Sequence, residues 1–224
     1  MRRTWLPRGS SLGWASGVLL VGVVTASTLA VRGHELLLST VAASAAKISA
    51  GRLWLLPTSG LVVDRPVYVG LVAFGLLGFA ALAICGTTVF WVSAAVGHVG
   101  STLAAYAIIG ASRQSDPDAF ASAFARKDFG VSAMQGAWVG AVAATAWCHA
   151  GTNTRPRMLV AGGVCGLAGV AWWLHPDPSI LTSEHLFAFL IGCLTVSWSQ
   201  LVASLRTAVG NPTASPPQDA TTTG

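Results

Sequence analysis

The chain has 224 residues, of which 53% are hydrophobic and only 9% charged, with a formal net charge of +5. Soluble domains carry roughly 25% charged residues, so this composition excludes an ordinary soluble enzyme and points to an all-α, polytopic membrane protein. The basic residues are scattered, with no run interleaved with aromatics, and give no basis for a nucleic-acid partner.

A basic segment opens the chain, with Arg2, Arg3 and Arg8 inside residues 1–12. The apolar run from about 13 to 31 follows. A signal peptide is one reading of it, because small residues lie near Ala30. Its length is close to the roughly 20 residues a spanning helix needs, which favours a first transmembrane span. Arg32 to Pro66 mixes polar and apolar residues, and Ala42 to Ile48 is expected as a short helix in the membrane interface.

Further spans are expected at about 67–84, 88–110, 129–148, 158–174 and 183–205. Cys85-Gly86-Thr87 makes a tight turn between the second and third. The loop from Ser112 to Asp128 turns at Asp116-Pro117-Asp118, and Arg155 and Arg157 mark a short basic loop. Residues 207–224 read as a disordered tail. Six spans put both termini on one side. Arg2, Arg3, Arg8, Arg155, Arg157 and Arg206 then share that side, which the positive-inside rule makes cytoplasmic in a cell membrane. Trp5, Trp14, Trp54, Trp91, Trp147, Trp172 and Trp173 fall near span ends, as an aromatic belt does.

The eight acidic residues lie at run ends, between runs or in the tail. Asp128 and Glu184 sit beside helix starts, where they complement helix dipoles. Cys85, Cys148, Cys165 and Cys193 fall within or at the edge of apolar runs, with no CxxC or Cys/His metal spacing. Buried free thiols and no metal site or cofactor are therefore expected.

One constellation carries chemistry. Ser132 lies about three residues into span four and His185 about two into span six, and both spans enter from the outer side. At 1.5 Å per residue the two share a depth. Ser132, Gly136 and Gly140 share one helix face, and His185, Ala188 and Gly192 another. Small-residue faces pack closely in bilayers. Such packing would bring a hydroxyl to a base able to activate it. A serine that merely hydrogen-bonds a neighbouring helix is the plainer alternative.

These motifs resemble those of rhomboid-type intramembrane serine proteases, particularly the divergent rhomboid-like membrane proteins of actinobacteria, over about Ser39 to Ser204. Gly130-Val131-Ser132-Ala133 stands in place of the family's GxSG, and the stretch from His185 to Gly192 in place of HxxGFLxG. The resemblance implies a six-helix bundle, Ser132 as nucleophile and His185 as general base. It also implies Gly130 as a supporting position, and transmembrane proteins of the surrounding lipid bilayer as substrates. The chain departs from the family pattern at Ala133 and Ala188, and Thr58 to Gly70 lacks the His and Asn that help bind the oxyanion. His98 is either a substitute polar group or a residue hydrogen-bonded inside the bundle. Counted from the outer end of span three it lies roughly 18 Å deep. The second reading of the same fold is a non-catalytic protein that binds transmembrane clients, with His98 and His185 as polar contacts. A small transporter is a third, and only His98 fits its need for a midplane ionisable group. No feature of the sequence sets an oligomeric state.

Overall fold

The computed structural model describes residues 11–32, 39–63, 67–128, 131–151, 153–159, 163 and 180–210. Gly130, Cys165, most of the span expected at 158–174, residues 1–10 and the tail from 211 lie outside them. Among the described residues the structure is helical, with one isolated antiparallel bridge between Ala43 and Asp128.

The first long helix, α1, covers Ser11–Arg32. Two one-turn helices follow, α2 (Ala45–Ser49) and α3 (Leu55–Ser59). Ser44 caps α2, its Oγ accepting from Lys47 N. The helix expected in the interface is thus shorter, and it begins from a fully packed run, since Ala42 to Ala45 are buried. The bridge to Asp128 explains the difference. Ala43 N–H donates to Asp128 O at 3.0 Å and Asp128 N–H to Ala43 O at 2.9 Å, so the segment is anchored to the protein.

Helix α4 (Val67–Cys85) buries Phe74, Gly78 and Ala81 and exposes Tyr68, Val72, Leu76 and Phe79. That exposed stripe, apolar apart from the Tyr68 hydroxyl, suits lipid. Gly86 closes the turn at φ +80°, a conformation that a Cβ penalises. Helix α5 then runs from Thr87 to Ser115. Its 29 residues span about 43 Å, more than the hydrocarbon core requires. It extends five residues past the expected boundary at 110. Asp116 ends it, its Oδ1 accepting from Ala119 N, and Arg113 lies over the ring of Phe124 in α6 (Ala121–Ala125).

Helix α7 covers Ser132–His149 and α8 Ile180–Gly210, so α8 reaches four residues into the segment expected as tail. Residues 154–157 are helical where a loop was expected. Among the described residues three stretches are long and apolar enough to cross a membrane: α4, α5 and Ser183–Val202 of α8.

Trp138 of α7 knits the helices together. Fully buried, it stacks on Phe90 at 4.7 Å, tilts against Phe74 at 4.9 Å and donates Nε1–H to Phe90 O. Gly78 leaves room for the ring, since a Cβ there would lie 3.1 Å from it. Gln135 donates to Gly70 O and Thr145 to Cys85 Sγ, so α4 and α7 run in the same direction. Gly136 faces His185 and Ala188, while Gly140 faces Phe189 and bonds Cys193, so α8 runs that way too. Gly97 of α5 meets Ala137 and Gly100 meets Ile191, in the opposite sense.

The thiols differ from expectation in one respect. Cys148 is exposed at the end of α7, whereas Cys85 and Cys193 are partly buried.

Candidate functional site

Ser132 is the first residue of α7 and is exposed. Val131 precedes it as N-cap and offers no side-chain cap. The first intrahelical bond is Gln135 N–H to Val131 O at 2.9 Å. The N–H groups of Ser132, Ala133 and Met134 therefore have no acceptor within the helix, and the positive end of the helix dipole lies at the serine. Among the described residues no hydrogen bond engages Ser132 Oγ.

His185 is partly buried on the neighbouring helix, α8. Gly136, one turn on from Ser132, lets the two helices touch. A Cβ at Gly136 would sit 3.3 Å from His185 O and 3.4 Å from Ala188 Cβ. Ser132 and His185 are thus at the same end of two contacting helices that run in the same direction. His185 also acts electrostatically on Asp128.

His98 takes the second of the roles open to it, a residue hydrogen-bonded inside the bundle. It is buried, at 5% exposure, and its Nε2 lies 2.8 Å from Leu56 O. A carbonyl only accepts, so the proton is on Nε2. The ring packs on Gly60, where a Cβ would come within 2.6 Å of Nε2. His98 thus satisfies the backbone of the segment from Leu55 to Val63, which descends between the helices. Ser27 does the same at the other end, its Oγ accepting from Val63 N at 3.2 Å. Irregular backbone at membrane depth requires such internal partners. The depth also differs from expectation. Gly97 is level with Ala137, only five residues into α7, so His98 lies about 8 Å below Ser132. Counting from the end of α5 misleads because that helix projects beyond the starts of α7 and α8.

The structure adds a group that the sequence reading missed. Glu184 and Asp128 do more than sit beside helix starts. Glu184 is 3% exposed and its Oε1 accepts from Thr102 Oγ1 at 2.5 Å. Tyr106 Oη donates to Asp128 Oδ2 at 3.1 Å, and a side-chain hydrogen bond joins the two carboxyls. Burial raises the Asp128 carboxyl above its usual range, while Tyr106, His98, Glu184 and His185 pull it back. A signal was present: His98, Thr102 and Tyr106 recur every four residues, a polar stripe on one face of a mostly apolar helix.

No family model, curated protein or solved structure matches this chain. Among the described residues no cluster of His, Cys, Asp and Glu is arranged to hold a metal ion.

Proposed function

We infer that this chain is a six-span, rhomboid-like membrane protein with cytoplasmic termini, and that its outer end carries an intramembrane serine hydrolase site acting on transmembrane proteins. The observation that supports this most directly is the meeting of α7 and α8 at Gly136 and His185, beside an exposed serine at an uncapped helix start. In this reading His185 accepts the Ser132 proton as Oγ attacks a peptide carbonyl. The unused N–H groups at the start of α7 stabilise the oxyanion, in place of the side chains the family pattern would supply. The imidazolium then protonates the leaving amine, and water, activated by the same histidine, hydrolyses the acyl-enzyme.

A specific observation favours the second reading, a non-catalytic binder of transmembrane clients. His98 is committed to Leu56 and has no N–H to spare for an oxyanion. A fluorophosphonate probe separates the two. Labelling of the purified protein that is lost in both Ser132→Ala and His185→Ala supports the hydrolase. Absence of labelling in the folded wild type, judged by an intact melting transition, supports the binder.

A further inference from the structure

Asp128 is the point at which several segments of the outer end meet. Its backbone forms both hydrogen bonds of the bridge to Ala43. Its side chain accepts from Tyr106 of α5 and contacts Glu184 of α8, which in turn accepts from Thr102 of α5. A hydrogen bond between two carboxyls requires a proton on one of them. If both ionise, the bond is lost and two like charges face each other, Glu184 buried and Asp128 half-buried.

Among the described residues no lysine or arginine acts on the pair to neutralise that charge. From α5 the pair is faced by Tyr106 and His98, and from α8 by His185. On the Ala43 segment, Lys47 donates Nζ to the carbonyls of Ser39 and Ala42. Burial, with Lys127 and Arg52 nearby, lowers its pKa. Arg126 and Lys127, which precede Asp128, are exposed.

We propose that the Asp128–Glu184 contact is a proton-dependent latch, which clamps the bridge between the Ala43 segment and the approach to α7 onto α5 and α8 and releases it when both carboxyls ionise. The latch stands on this geometry and does not depend on Ser132 being a nucleophile. The direction follows from burial. The raised Asp128 carboxyl contributes stability that is fully present at acid pH, below its unfolded value, and is lost as pH rises through its folded value. The released segment is the one that continues through α2 and α3 to the His98 contact, so release loosens the tie between that segment and the approach to α7.

The test uses the full-length protein in nanodiscs, from about pH 5 to about pH 9. Hydrogen exchange of peptides containing Ala43 and Asp128, corrected for the intrinsic pH dependence of exchange, reads the bridge. In the wild type, protection should fall by about tenfold or more across the range. In Asp128→Asn and Glu184→Gln an amide replaces the shared proton, so protection should be nearly independent of pH. Equal pH profiles in wild type and both variants would overturn the latch. Should neither variant fold, infrared spectroscopy of the wild type decides. A protonated-carboxyl band near neutral pH that disappears on alkalinisation, together with loss of protection, supports the proposal, and absence of that band refutes it.

Discussion

Among the described residues, the glycines that come nearest to a neighbouring helix backbone give the most demanding prediction. Gly140 and Gly192 face each other's helices reciprocally: a Cβ on Gly140 would run into the carbonyl of Phe189, and one on Gly192 into the carbonyl of Ala137. The carbonyl carbons would be only 2.9 and 2.8 Å from the new methyl groups, and the adjacent Cα atoms 3.1 and 3.0 Å. Favourable carbon contacts begin at about 3.5 Å. The obstacle is backbone, which has no rotamer to change, so α7 and α8 must separate. Overpacking of this kind costs about 1–3 kcal/mol. In a chain of this size each kcal/mol lowers Tm by about 2–4 °C. Gly140→Ala and Gly192→Ala should therefore melt several degrees below wild type in detergent. Gly136→Ala should be milder, since its new methyl would stand 3.3 Å from the nearest atom. Gly75→Ala, on α4 with nothing within 4 Å, is the control and should be neutral or stabilising through helix propensity. If Gly140→Ala and Gly192→Ala melt with Gly75→Ala, the two helices do not pack as described.

Two further substitutions probe the loop contacts. Gly60→Ala should displace the His98 ring and break its bond to Leu56 O, at a cost of about 1–3 kcal/mol for the polar groups left buried, read as a lower Tm and faster exchange over Leu55 to Val63. Gly86→Ala forces a Cβ into a positive-φ turn, so it should lower stability by about 1–2 kcal/mol without altering labelling of Ser132. An unchanged melt for either would refute the corresponding contact.

The sequence carried the helices and the faces by which they meet, because both depend on local spacing. Apolar runs of spanning length located α1, α4, α5, α7 and α8 to within a few residues, apart from the C-terminal ends of α5 and α8. The turn at Gly86 was legible because only three residues separate two long apolar runs. The small residues at 136, 140, 188 and 192 were legible as packing faces because their spacing matches the helix period. Asp128 and Glu184 were misread for a different reason. Next to a helix start an acid looks the same whether it faces water or a partner, and the partners here, Thr102 and Tyr106, come from a helix remote in sequence. The descent of the segment from Leu55 to Val63 was equally hidden, since its backbone is satisfied by Ser27 and His98, far away along the chain.

One helix face unites these findings. His98, Thr102 and Tyr106 project from α5 at successive turns, and each holds a different segment: the Leu56 carbonyl, the Glu184 carboxyl and the Asp128 carboxyl. In a bilayer a polar stripe of this kind is costly unless every member finds a partner inside the protein. Each of the three does, although His98 Nδ1 remains without one. The stripe therefore acts as a ruler that sets the depth of the descending loop, the start of α8 and the approach to α7 relative to one another. Ser132 and His185 are next to the last two of these, so their relative height is set by α5, a helix that carries neither residue.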